Sequence, residues 1–307
     1  MYTKIDAHSH FSLEHVKGII QSLDESNIEA IVNAQRRNDR PDAEIDHLSR
    51  ALAGNRIATL KRIEFDGDLD DPRYIPGLVD QFRRDVEGGI KGLKISKRLG
   101  LFSIHKDGSW VRVDDERLDP IWAAAGEMNV PVLLHTADPI RNWLPLEQVK
   151  GDDVIRKFPA WWFGDGKHFD RLDLLKQRET VMARHPRTIF VNAHWGCYPQ
   201  DLDHLVCLFE TYPNFVVDTE PAKIRITPKG KVHTSHRDLV IRYADRTIFG
   251  TDISIPFGKP VDCPWHKGMY ERMSSWLETD KDGGLALPPG VLRKIYYDTA
   301  RRVYHLE

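Results

Sequence analysis

Short apolar runs alternate with helical stripes from one end of the chain to the other. Ile28 to Asn33 (IEAIVN), Ile57 to Phe65, Ile90 to Ile95, Val130 to His135, Thr188 to His194, Phe215 to Thr219 and Thr247 to Thr251 each read as a short buried strand. A segment ending at His10 makes the set eight. Between the strands, Leu13, Val16, Ile19, Ile20 and Leu23 form one apolar stripe at helical spacing, with Ser12 as a candidate N-cap. Ile75, Leu78, Val79, Phe82 and Val86 form another, and the last helix carries Val291, Ile295, Tyr296 and Val303. Eight strand-helix units with no break in composition predict an α/β chain folded as a single (β/α)8 TIM barrel over residues 1–307. The competing architecture is an open doubly wound sheet. No Gly-rich nucleotide fingerprint follows the first strand to support it.

Three stretches are longer than an ordinary barrel connection: 136–167 after the fifth strand, 221–236 after the seventh and 253–269 after the eighth. All leave the C-terminal ends of strands, where barrel active sites are built. Long connections there act as lids or specificity loops. Residues 136–167 are therefore expected to form an active-site insertion; they carry Trp143, Trp161, Trp162 and Phe163.

Composition narrows the function classes. The 307 residues are 41% hydrophobic and 29% charged with a formal net charge of -2, and Lys and Arg are scattered. Neither a nucleic-acid footprint nor a membrane-surface patch emerges. No apolar run approaches the roughly 20 residues that span a bilayer. The first residues, MYTKID, are not an apolar signal segment. Cys197, Cys207 and Cys263 are odd in number and read as reduced thiols, the pattern of a cytoplasmic protein.

The candidate chemistry sits at strand ends. His8 and His10, in IDAHSH, are two apart on the first strand and so point the same way. The fifth strand, VPVLLH, ends in His135; the sixth, IFVNAH, ends in His194 and is followed by Trp195-Gly196; the eighth, IFGTD, ends in Asp252. Taken alone, each histidine reads as a hydrogen-bonded structural residue and the aspartate as a helix N-cap. In a barrel, however, these ends surround one mouth. His8, His10, His135, His194 and Asp252 then come within reach of one another. A mixed nitrogen and oxygen donor set suits Zn²⁺, or Mn²⁺ or Fe²⁺, better than Mg²⁺ or Ca²⁺.

With these motifs the chain resembles the amidohydrolase superfamily, in the branch that includes aminocarboxymuconate semialdehyde decarboxylase, γ-resorcylate decarboxylase and 2-pyrone-4,6-dicarboxylate lactonase. The resemblance spans essentially the whole chain. It rests on DAHSH (6–10), PVLLH (131–135), NAHWG (192–196), FGTD (249–252) and the closing KIYYDTARRVY (294–304). It implies that His8, His10 and His135 bind a metal ion, with Asp252 as a further ligand that also takes a proton from the metal-bound water. It further implies that His194 is the catalytic histidine, orienting that water or polarising the substrate carbonyl. One ion is favoured over two, zinc first.

Lys94, in the fourth strand, divides the readings. Two-metal members of the superfamily place a carboxylated lysine on this strand as a bridging ligand. The alternatives are an ordinary strand-end lysine and a point charge that grips an anionic substrate; the last is favoured. Arg36, Arg37, Arg141, Lys223 and Arg225, with Glu220 beside the seventh strand, also lie near the mouth and point to a polar or anionic small molecule. Trp162 and Trp195 are expected to wall the pocket. Site contacts with substrate are thus expected from Lys94, Trp195, Arg141, Trp162 and Glu220.

The leading function is a metal-dependent hydrolase acting on a lactone or cyclic amide. A non-oxidative decarboxylase of an aromatic or unsaturated carboxylic acid is the second reading. A non-catalytic barrel used for binding and a phosphoesterase of the other H-x-H barrel family complete the set. A homo-oligomer is an expectation from the family alone.

Overall fold

The computed structural model describes residues 2–35, 42–149, 151–198, 201–220 and 234–306. Its parallel strands are Lys4–His10, Ile28–Asn33, Ile57–Thr59 continued by Lys61–Ile63, Leu93–Ile95, Val132–Leu134, Phe190–Asn192, Phe215–Asp218 and Thr247–Ile248. Neighbours in sequence are neighbours in space. The two halves of the third strand face different partners: Ile57–Thr59 pairs with the second strand and Lys61–Ile63 with the fourth. After the eighth strand the chain returns to the first. Phe249 O accepts from Ala7 N at 2.8 Å, and Ile253–Ser254 pairs with Ser9 and His10. That pairing closes the TIM barrel read from the sequence.

Alternation along the strands separates two cores. Ile5, Ala7, Val32, Leu60, Leu133, Val191, Val216 and Ile248 fill the barrel interior. Ile31, Leu93, Ile95, Val132, Leu134, Phe190, Phe215 and Val217 face outward, against the helices. The helical stripes supply the opposing surface. Val16, Ile19 and Leu23 are buried on the helix Val16–Ser26, and Ile75 and Phe82 on Tyr74–Glu87. Lys94 stands in register with Leu133, and Leu133 with Val191, so this lysine belongs to the interior layer. It is 1% exposed. Lys94 is thus not a solvated lysine at the strand end.

Gly250 eases the closure. A Cβ there would lie 3.0 Å from His8 Cβ and 3.2 Å from Asp218 Cβ, so any other residue would push the eighth strand a few tenths of an ångström away. The strands are shorter than the apolar runs at their C-terminal ends. His135, His194 and Asp252 therefore sit just beyond the sheet, in irregular backbone.

One of the long connections differs from expectation. In 253–269 the helix Cys263–Glu278 already starts at Cys263, where Asp262 accepts from Trp265 N at 2.9 Å, so the connection is shorter. The segment 136–167 contains short helices, among them Leu146–Val149 and Asp153–Lys157. Of 221–236, residues 221–233, with Lys223 and Arg225, lie outside the described residues, as do Arg36 and Arg37. No helix among the described residues is long and apolar enough to cross a membrane.

Candidate active site

The first strand delivers His8 and His10 to one point. Their Nε2 atoms are 3.1 Å apart, and Asp252 Oδ1 lies 3.4 Å from His8 Nε2 and 3.2 Å from His10 Nε2. Each imidazole is held from behind at its other nitrogen. Asp218 Oδ2 lies 2.7 Å from His8 Nδ1, and the Gln35 carbonyl 2.9 Å from His10 Nδ1. Acceptors at both Nδ1 atoms assign the proton there and leave both Nε2 lone pairs facing each other and a carboxylate. Three acceptors at such separations repel unless a cation lies between them. Ligand atoms about 2.0–2.1 Å from a common zinc ion at tetrahedral angles stand about 3.4 Å apart, close to these edges. His8, His10 and Asp252 thus fit a divalent ion.

The electrostatics agree. Burial pushes the Asp252 carboxyl up, but His8, His10 and His194 around it outweigh that and hold the group well below the usual carboxylate range. Burial drives the His10 imidazole down to about 4 against the opposing pull of Asp252. His8 is lowered as well, by burial first and then by Lys94, whose Nζ is 3.4 Å from His8 Nε2. His8 and His10 therefore stand neutral beside an ionised Asp252 at neutral pH, the protonation states a metal requires.

His194 reaches the same centre by an unusual backbone. His194, Trp195, Gly196 and Cys197 all have φ near +60°, one turn of left-handed helix closed by Cys197 N donating to His194 O at 2.9 Å. Left-handed helix costs about 1–2 kcal/mol per non-glycine residue, or about 3–6 kcal/mol for the three here. Such strain persists only where its surroundings enforce it. Asp218 Oδ1 accepts from His194 N at 2.8 Å, and Glu220 Oε2 lies 3.0 Å from His194 Nδ1. His194 Nε2 has no hydrogen-bond partner among the described residues and faces Asp252 Oδ2 at 3.8 Å. Asp252 is itself left-handed, at φ 54°. Its neighbour Thr251 is braced by buried Asp6, which accepts from Thr251 N at 3.0 Å, from Thr251 Oγ1 at 2.5 Å and from Tyr270 Oη at 2.9 Å.

A cavity of about 740 Å³ opens above this cluster. Its wall is basic, with Arg62, Lys94, Lys97, Arg98 and Arg141, and it includes His10, His135 and Asp252. Lys97 Nζ meets Asp138 Oδ2 at 2.5 Å and lies 3.8 Å from the centre of the Trp161 ring. His135 is at the wall rather than in the compact cluster. Its Nε2 is 3.4 Å from Asp138 Oδ1, and its ring lies 4.5 Å from that of His194.

A model of the amidohydrolase family matches residues 5–306. The chain belongs to the amidohydrolase family. Solved structures with the same fold include an uncharacterized TIM-barrel protein of Bordetella bronchiseptica, at 14% identity over 99% of each chain and a TM-score of 0.61. A dihydroxybenzoic acid decarboxylase of Polaromonas sp. JS666, with bound manganese and the inhibitor 2-nitroresorcinol, is 17% identical over 100% of this chain and 98% of that one, TM-score 0.61. A probable 2-pyrone-4,6-dicarboxylic acid hydrolase of Acinetobacter baumannii, with citric acid bound, is 13% identical over 98% and 99%, TM-score 0.54. No curated protein matches the sequence.

Within this amidohydrolase barrel several expected substrate contacts fall elsewhere. Trp195 is buried beside Trp276, because the left-handed turn carries its ring away from the cavity. The Trp162 indole donates to Leu144 O at 2.9 Å and packs the insertion; Trp161 lines the cavity in its place. Glu220 is buried against His194 and does not line the cavity. Arg141 and Lys94 do line it. Asp218, Arg62, Lys97 and Asp138 were not singled out as site residues by motif. Asp218 ends the seventh strand in FVVD, so its strand-end position was the available signal.

Proposed function

We propose that this amidohydrolase is a metal-dependent hydrolase that opens a small lactone or cyclic amide carrying a carboxylate. His8, His10 and Asp252 would hold one divalent ion, zinc by the donor set, with His135 at the cavity wall as a further nitrogen donor. The ion, when bound, supplies Lewis-acid polarisation and an acidified water. Asp252 takes the proton released during attack and returns it to the leaving oxygen or nitrogen. His194, oriented from Nδ1 by Glu220, offers Nε2 to the reacting carbonyl group. Lys94 neutralises the substrate carboxylate, with Arg62 and Arg141 further along the wall.

The observation that carries this reading is the ionised Asp252 placed between His8, His10 and His194. Hydrolysis needs a proton acceptor at that place, whereas decarboxylation needs an acid to protonate carbon. The second reading, a decarboxylase of an aromatic acid, is favoured by the basic wall, which would hold a benzoate as readily as a carboxylated lactone. Its support from the Polaromonas enzyme is likeness of fold.

The test is turnover of the zinc-loaded protein on carboxylated lactones and cyclic amides in ¹⁸O-water. Label in the product acid, lost in His8→Ala and Asp252→Ala variants that keep their circular dichroism, is the expected result. CO₂ released from hydroxybenzoates without hydrolysis of any lactone or amide would replace this reading with the second.

A further inference from the structure

The helix Arg171–Arg184 buries two arginines where a barrel helix should be apolar. Arg171 and Arg178 are seven residues apart, two helical turns, so they share a face with buried Leu174, Leu175, Val181 and Met182. Arg178 is 1% exposed and Arg171 4%. A guanidinium taken out of water is costly unless closely paired. The carboxylate nearest Arg178 is Glu179, 3.7 Å from Nη2.

Both arginines spend their hydrogen bonds on backbone beside the candidate site. Arg178 Nη1 donates to Gly196 O at 2.5 Å, and Arg171 Nη2 donates to Cys197 O. These are the last two carbonyls of the left-handed turn that begins at His194. Arg171 Nε also donates to Asp138 O at 3.0 Å. Asp138 belongs to the segment that leaves His135, and its carboxylate faces that histidine. Arg171 thus ties the His135 segment to the His194 turn, while Arg178 holds the turn from the helix alone.

We propose that Arg171 and Arg178 are positioning residues: a pair of clamps that hold the left-handed turn in place and so fix the His194 imidazole against Asp252 and His135. The inference rests on the reading that His194 takes part in the reaction. The strain of the turn gives the clamps their purpose, since a relaxed backbone would carry His194 out of the cluster. An apolar side chain at either position would satisfy the helix face equally well. It would leave the turn's carbonyls unheld.

The experiment compares Arg178→Met and Arg171→Met with the conservative Arg178→Lys and Arg171→Lys in zinc-loaded, ¹⁵N-histidine-labelled protein. The His194 resonances are assigned by their loss in His194→Gln. The expected result for the methionine variants is displaced or broadened His194 signals, with those of His8 and His10 in place. Amide exchange across 193–198 should speed up by about tenfold or more, with cooperative melting retained. On a substrate found as above, kcat should fall roughly tenfold to a hundredfold with little change in KM, and lysine should restore part of it. Unmoved His194 signals and unchanged exchange, with only a lower melting temperature, would reduce the arginines to packing and overturn the proposal. Should a methionine variant fail to fold, the lysine variants decide by the same signals. Displaced His194 signals with unaltered turnover would leave the clamp standing and remove His194 from the reaction.

Discussion

Asp218 is the residue whose replacement tests the site most sharply, because one buried carboxylate serves two histidines. Its Oδ2 lies 2.7 Å from His8 Nδ1, and its Oδ1 accepts from His194 N at 2.8 Å and from Glu220 N at 3.3 Å. Burial raises its pKa, but His8, whose Nδ1–H it accepts, and then His194 more than offset that, so the group is ionised. Asp218→Asn keeps the shape but offers one acceptor oxygen, so an NH₂ must face either the His8 Nδ1–H or the His194 N–H. Losing one hydrogen bond to a charged acceptor costs about 1.5–3 kcal/mol. If the amide turns its NH₂ to His8, the imidazole is driven to the other tautomer and Nε2 no longer presents a lone pair. Replacing such a partner behind a ligand typically weakens metal binding 10–100-fold, about 1.4–2.7 kcal/mol, so the two estimates agree. Competition against a fluorescent zinc chelator near neutral pH, for both proteins, measures the difference directly. A folded Asp218→Asn protein that keeps both its zinc affinity and the NMR shift of the His194 backbone amide would refute the assignment of His8 as a ligand oriented by Asp218.

Two further outcomes follow from the same geometry. Lys94→Met should keep one zinc per chain while raising KM for an anionic substrate roughly 10–100-fold, the worth of one hydrogen bond to a charged group; kinetics with elemental analysis checks both, and lost zinc would instead make Lys94 a ligand. Burial pushes the Asp6 carboxyl up from 3.8 to about 6, against hydrogen bonds from Thr251, Tyr270 and His8. The folded state then binds the Asp6 proton more tightly than the unfolded chain. Its contribution to stability is present at low pH, falls as pH rises between these two values, by about 3 kcal/mol, and is flat above. Asp6→Asn removes that slope; urea unfolding of both proteins from pH 4 to pH 7 measures it, and identical pH dependence would contradict it.

The apolar runs located every barrel strand, because a strand covered on both faces must be apolar along its length. Ile28–Asn33 matches its run residue for residue. The runs overshoot where the backbone leaves the sheet. Val130 to His135 and Thr188 to His194 shrink to Val132–Leu134 and Phe190–Asn192, with His135 N making a last bond to Ile95 O at 3.0 Å and His194 already in the left-handed turn. His8, His10 and Asp252 were legible as a group because they end neighbouring strands in the closed barrel. Trp195 falls outside the cavity because adjacency to His194 does not give a shared direction, and the left-handed turn sends the two side chains to different places. Nothing local in the sequence announces that turn: three of its four residues are not glycine. Arg171 and Arg178 leave a faint mark, two cations on an apolar stripe, which reads as an irregular helix until their partners are seen.

The closure of the barrel also sets a clock. Asp6 and Thr251 are joined across 245 residues, and the first strand pairs with Ile253–Ser254. At synthesis rates of about 5–20 residues per second, about 12–50 s separate translation of His10 from that of Asp252. Until Asp252 arrives, His8 and His10 lack the carboxylate that completes their cluster and are open to whichever ion binds nitrogen most avidly, copper ahead of zinc. If the cluster holds an ion as proposed, selection among metals would belong to the finished ring, and an ion caught early would have to survive the arrival of Asp252.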